Sequence, residues 1–215
     1  MEIAKDLHAF VWTSTRANNA NTYLITGPKK ILIDPGHLQL FEHVQAGLAR
    51  LGLTPNDIDC VLITHAHADH IEAAGMFQKP TLLAMSRDAL DFLRGYGGRR
   101  ANHLEPDFFL AEGDLKIGDL TLEVIATPGH SPGSLCFYWP DRRALFTGDV
   151  IFSQSIGRTD LPGGSGALLK ESIQRLSTLD VDCLLPGHGA PVVKQEAVRE
   201  NFRLVADYWF SYLEQ

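Results

Sequence analysis

Four times along this chain an apolar run of strand type gives way abruptly to a loop headed by His or Asp. Asp59-Cys60-Val61-Leu62-Ile63-Thr64 runs into His65-Ala66-His67-Ala68-Asp69-His70, and Leu120–Ile125 leads to Thr127-Pro128-Gly129-His130. Ala144–Phe146 leads to Thr147-Gly148-Asp149, and Cys183–Leu185 to Pro186-Gly187-His188. Short unbroken apolar runs are the mark of buried strands, so four strands deliver polar groups at their C-terminal ends. Elsewhere the period changes. From Leu40, Phe41, Val44, Leu48 and Leu51 recur at helical spacing, and Gly52 and Pro55 close that helix. Leu169, Ile173, Leu176 and Leu179 form a second stripe; Val198, Phe202, Val205, Trp209 and Tyr212 form a third. Each predicts a helix lying with one face on a sheet. Ala9–Thr13, Thr22–Thr26 and Ile31–Ile33 add opening strands with Gly27-Pro28 as a turn, and Arg94-Gly95-Tyr96-Gly97-Gly98-Arg99-Arg100 reads as a mobile surface loop.

Composition limits the partners. A length of 215 residues, 45% hydrophobic and 21% charged, without a linker, repeat or low-complexity tract, predicts one globular domain over 1–215. The net charge of −7, with no basic run beyond Lys29-Lys30, Arg99-Arg100 and Arg142-Arg143, argues against nucleic acid. No run of roughly 20 apolar residues is present to span a bilayer, and Met1–Asp6 lacks the basic start and apolar stretch of a secretory signal. A cytoplasmic protein is expected. Cys60, Cys136 and Cys183 are odd in number and each sits in an apolar run, which predicts core packing over redox or metal chemistry.

The segment His65–His70 packs three imidazoles and one carboxylate into six residues. Buried without a cation, such groups would repel one another or lack partners, so a metal is the economical explanation. His8, His37, His43 and His103 are isolated and read as ordinary satisfied or exposed histidines. The candidate ligands are His65, His67, Asp69, His70, His130, Asp149 and His188, more than one tetrahedral ion needs. Two divalent transition-metal ions are therefore expected, zinc first, with iron or manganese as alternatives, since imidazole and carboxylate without thiolate suit all three. Asp34, after the strand Ile31–Ile33, is a candidate to orient a ligand histidine.

The ordered set His65-Ala66-His67-Ala68-Asp69-His70, Pro128-Gly129-His130, Thr147-Gly148-Asp149 and Gly187-His188 resembles the metallo-β-lactamase superfamily over most of the chain. That resemblance implies an α/β (α+β) fold, a four-layer αββα sandwich with two mixed sheets face to face and the metals at one edge. It also implies His65, His67 and His130 on one metal, Asp69, His70 and His188 on the other, and Asp149 between them. The stretch Ser155-Ile156-Gly157-Arg158-Thr159-Asp160-Leu161-Pro162-Gly163-Gly164 is similar to the glyoxalase II-like branch, in its short bacterial form. It implies hydrolysis of a glutathione-type thioester, such as S-lactoylglutathione, through a metal-bound hydroxide. Asp69 and Asp149 would hold the metals and the nucleophile, and Arg158 would contact the glutathione part.

Only 27 residues follow His188, enough for one helix, so the helical C-terminal domain of longer glyoxalase II chains is not expected. Gly163-Gly164-Ser165-Gly166 departs from the short subfamily, which usually has Asp after the glycines. A persulfide dioxygenase of the same branch, with one iron on His65, His130 and Asp149, is the alternative from another reaction class. Hydrolysis of another ester, thioester or lactam, or a non-catalytic metal-binding role, ranks behind these. Many true β-lactamases place Cys where this chain has Asp149, and a non-catalytic role predicts eroded ligands, whereas all seven are present.

Overall fold

The computed structural model describes residues 1–96 and 104–213 of the chain. A first sheet takes up the strands in chain order: β1 (Glu2–Ala4), β2 (Leu7–Phe10), β3 (Thr22–Ile25), β4 (Ile31–Ile33), β5 (Cys60–Leu62), β6 (Leu82–Ser86) and β7 (Phe108–Leu110). The pairs from β1 to β4 are antiparallel and those from β4 to β7 parallel. Parallel neighbours need crossovers, and helices α1 (Glu42–Ala49), α2 (Ala68–Ile71) and α3 (Arg87–Tyr96) lie in them.

The second half of the chain contains β8 (Gly113–Ile117), β9 (Leu120–Ala126), β10 (Leu135–Trp139), β11 (Ala144–Gly148), a small hairpin of β12 (Ile151–Phe152) and β13 (Ser155–Ile156), helix α4 (Gly166–Leu176), β14 (Cys183–Pro186), β15 (Val192–Val193) and helix α5 (Gln195–Leu213). Its sheet has the order β15-β14-β11-β10-β9-β8, and within it only β11 and β14 are parallel.

Alternation along the strands decides the layering. Ile31, Ile33, Cys60 and Leu62 of the first sheet share a core with Leu122, Val124, Phe137, Phe146 and Leu185 of the second. Leu32, Val61 and Met85 turn the other way, onto Val44, Leu48 and Leu90 of the first helices. Cys136, Leu145 and Leu184 do the same on the far side, beneath Leu169, Ile173, Leu176, Val198, Phe202 and Val205. The result is the expected αββα sandwich. Each such aliphatic side chain contributes about 1.5 to 3 kcal/mol by burial.

Several expectations shift. The strand expected over Ala9–Thr13 is Leu7–Phe10, because the Trp12 amide leaves the ladder and donates to Asn21 Oδ1 at 2.8 Å. Arg94–Tyr96 are not loop but the end of α3; the rest of that expected loop, 97–100, and His103 lie outside the described residues. Tyr212 is exposed and Leu213 takes the buried place, because the helical repeat has carried the apolar face past it. The three cysteines are buried in the core as free thiols. No helix among the described residues is long and apolar enough to cross a membrane.

Candidate metal centre

The C-terminal ends of β5, β9, β11 and β14 meet at one edge of the sandwich and bring the seven candidate ligands together. Crossing hydrogen bonds fix the loops there: Leu135 N donates to Thr64 O, Gly187 N to Gly148 O, and Asn21 N to Gly187 O. Because β11 and β14 are parallel neighbours, Asp149 and His188 emerge side by side. The residue between, Gly187, admits no side chain: a Cβ there would sit 2.3 Å from Asp149 Oδ1 and 2.7 Å from His70 Cε1.

Two groups of ligand atoms form. His65 Nε2 and His130 Nε2 lie 3.1 and 2.8 Å from His67 Nδ1. On the other side His188 Nε2 lies 3.1 Å from Asp69 Oδ2, and His70 Nε2 lies 4.0 Å from the same oxygen. Asp149 stands between the groups, with Oδ2 at 3.6 Å from His130 Nε2 and 3.4 Å from His188 Nε2, and Oδ1 at 3.2 Å from His70 Nε2.

Partners behind the imidazoles select their tautomers. His130 Nδ1 donates to the main-chain oxygen of Arg158 at 2.8 Å, and His70 Nδ1 to Asp34 Oδ2 at 2.8 Å. Thr64 Oγ1 gives its proton to Asp34 Oδ2 at 2.7 Å and so accepts from His65 Nδ1 at 3.0 Å. Each of these three rings, when neutral, turns an Nε2 lone pair into the cluster.

These residues fit a cation. Lone pairs from His65 and His130 converge on His67 Nδ1, whose single proton could satisfy only one of them. His70 Nε2 and Asp149 Oδ1 are buried without a hydrogen-bond partner despite their proximity. Orphaned donors and acceptors of this kind are costly unless something binds between them.

Electrostatics sort the groups in the same way. Burial, reinforced by His70, holds His65 well below the ordinary imidazole range, and burial with His130 nearby takes His67 down to about 4. Burial also lowers His130. Burial would depress His188 too, but hydrogen bonds to Asp149 and Asp69 raise it to about 9. His70 is likewise raised against its burial, by Asp149 and Asp34. Burial opposes ionisation of Asp69, yet His188 and His70 bring it to about 2, and His70 with His188 holds Asp149 well below the carboxylate range. Two neutral donors and an imidazole of low basicity therefore face a region of paired charge.

Aromatic rings border both halves. Phe92 of α3 meets His67 edge-on at 6.5 Å, and Phe152 of the hairpin meets His188 at 5.9 Å. The Arg158 side chain is exposed and paired through Nε and Nη2 with Asp160, at 2.9 and 2.8 Å, while its main chain serves His130. Asp34, expected from its place after a strand, does reach a candidate ligand, His70. Asn18 was not foreseen: its Nδ2 donates to Asp69 Oδ2 at 2.6 Å. The signal for it was three asparagines, Asn18, Asn19 and Asn21, crowded before a strand. His37 pairs with Glu72 and His43 with the Phe10 main chain, as ordinary histidines do.

A sandwich with a His and Asp cluster at the open edge is the arrangement of a metallo-hydrolase. The family model of the metallo-beta-lactamase superfamily matches residues 15–188, and the chain belongs to that superfamily. It is 34% identical to the probable metallo-hydrolase MJ0888 of Methanocaldococcus jannaschii, over 80% of this chain and 88% of that one. With the probable metallo-hydrolase YqgX of Bacillus subtilis it shares 37%, over 79% and 85%. Among solved structures, the BLEG-1 B3 metallo-beta-lactamase superposes with a TM-score of 0.72 at 30% identity, covering 97% of this chain and all of that one (100%). TTHA1623 in a di-iron-bound form gives 0.71 at 31%, covering 91% and 97%. ETHE1 from Myxococcus xanthus gives 0.72 at 27%, covering 97% and 90%.

Proposed function

We propose that this chain is a binuclear metal-dependent hydrolase of glutathione-type thioesters, of the glyoxalase II-like kind. The observation that carries the reading is Asp149 standing between two groups of ligand atoms, with the Gly157-Arg158-Thr159-Asp160 segment packed directly behind His130 and presenting its guanidinium to solvent. Bound divalent cations supply an activated water at neutral pH and polarise the acyl carbonyl.

The chain's own residues do the rest. His65, His67 and His130 would hold one cation as neutral donors, and Asp69, His70 and His188 the other, with Asp149 available to both. Asp34 and Thr64 keep the donor nitrogens aimed, and Asn18 orients Asp69. Arg158 receives a carboxylate of the glutathione part, exchanging its exposed pair with Asp160, which holds it only weakly. Phe92 and Phe152 border the reacting region with apolar edges. Water adds across the carbonyl carbon to sulfur bond, and the acid and the free thiol leave without a Ser or Cys nucleophile. Zinc, iron or manganese suits the donor set, and the di-iron form of TTHA1623 supports iron.

Elemental analysis of the purified protein together with hydrolysis of S-lactoylglutathione tests this. The expected result is two ions per chain and turnover that chelation abolishes and metal restores. Fully loaded protein inert towards glutathione thioesters overturns the reading. One iron per chain with oxygen consumed on glutathione persulfide replaces it with the dioxygenase, a reading with which the ETHE1 likeness is compatible.

A further inference from the structure

The hairpin β12–β13 starts two residues after Asp149 and is held from outside by the C-terminal helix. Asn201 of α5 is 4% exposed, and both ends of its amide bond the hairpin main chain. Its Oδ1 accepts from Gln154 N at 2.7 Å, and its Nδ2 donates to Phe152 O at 2.9 Å. About two turns further on, Trp209 Nε1 donates to Gln154 O at 3.0 Å. Gln154 occupies the left-handed region with φ of 57°, so the turn depends on these external bonds for its seat.

What the hairpin carries is the centre's support. Phe152 leans its ring on His188. Just after the returning strand, Gly157 lies so close to the cluster that a Cβ would fall 1.8 Å from Asp149 O and 3.1 Å from His130 Nδ1. The next residue supplies the carbonyl that accepts the His130 Nδ1 proton. A displacement of the hairpin would therefore move the carbonyl that fixes the His130 tautomer.

We propose that Asn201 is a positioning residue for the metal centre, clamping the β12–β13 hairpin so that the Arg158 carbonyl holds His130 and Phe152 holds His188 in ligating orientation. The single terminal helix thus has a task at the site besides covering the sheet. The inference rests on the cluster holding metal, and its test separates the two.

Apo-protein is titrated with Co²⁺ against a chromophoric chelator, and the visible Co²⁺ spectrum is recorded, for wild type, Asn201→Ala, Asn201→Asp and Trp209→Phe. Circular dichroism and Tm of each apo-protein are measured alongside. Loss of a group that orients a ligand typically weakens metal binding 10- to 100-fold. Asn201→Ala is expected to lose about that much Co²⁺ affinity with altered visible bands. Asn201→Asp should behave similarly, because a carboxylate would face the Phe152 carbonyl, and Trp209→Phe should move the same way by less. Folded Asn201→Ala with wild-type affinity and spectrum overturns the proposal, whatever its Tm. Should that variant not fold, unchanged binding in both Asn201→Asp and Trp209→Phe overturns it equally. Wild type that takes up no Co²⁺ defeats the metal reading itself, and this inference with it.

Discussion

Asp34 grips His70 from behind: its Oδ2 accepts the Nδ1 proton at 2.8 Å, and both groups are almost wholly buried. The same oxygen takes the Thr64 hydroxyl, and Oδ1 takes the Thr64 amide at 2.8 Å. Held by these bonds, the carboxylate keeps His70 Nε2 turned towards Asp69 and Asp149.

Asp34→Asn tests that grip. Asn tolerates the left-handed backbone at this position, φ of 53°, so the fold should survive. Its amide nitrogen would donate to His70 Nδ1, reversing the tautomer and placing a proton on Nε2. Affinity for the second metal should fall about 10- to 100-fold. Isothermal titration of the apo-protein measures it, and two sites of wild-type affinity would refute the role.

Asp149→Ala removes the carboxylate that faces His130, His188 and His70 at once. Thioester turnover should drop by at least about 100-fold, a loss of about 2.7 kcal/mol in transition-state stabilisation, with far-ultraviolet dichroism unchanged. A folded variant that kept more than about a tenth of wild-type turnover would show that Asp149 is not an essential bridge.

Metal-free protein should be most stable near pH 6.5. His67 is lowered to about 4, so between about 4 and 6.5 the unfolded chain binds the extra proton and stability rises with pH. His188 is raised to about 9, so its contribution is complete below 6.5 and is lost as pH climbs through about 9. Apo Tm should fall on both sides, and saturating metal should remove the alkaline decline, since a cation replaces the His188 proton. Thermal scans from pH 5 to 9, with and without metal, follow both limbs; an apo curve flat from about 6.5 to 9 would contradict the assignment of His188.

Arg158→Ala should raise KM on a glutathione thioester more than it lowers kcat, because the contact is made in ground and transition states alike. A charge-assisted bond of about 1.5 to 3 kcal/mol, less the exposed Asp160 pair given up, leaves about 1 to 2 kcal/mol, or roughly 5- to 30-fold in kcat/KM. A minimal thioester lacking the peptide carboxylates should lose almost nothing. Equal losses on both substrates would mean instead that the substitution has disturbed the carbonyl behind His130.

The amino-acid sequence alone showed which apolar runs give way to His and Asp and which residues are candidate donors, because both are written locally: an apolar run stops, and His-x-His-x-Asp-His begins. The stripe Leu169, Ile173 and Leu176 is local in the same sense, and it is buried where it was expected. Most of what supports the donors was not legible. Asp34 was expected from its place after a strand, but that it meets His70, across 36 positions, was not, nor that the Arg158 carbonyl meets His130 across 28. Asn201 reaches back 49 positions to Phe152. A main-chain carbonyl has no signature in sequence, and an asparagine reads alike on a surface or in a clamp. Only the neighbouring of β4 with β5, and the packing of α5 on the hairpin, decide which of these groups stand within hydrogen-bond reach, because that reach extends no further than about 3 Å.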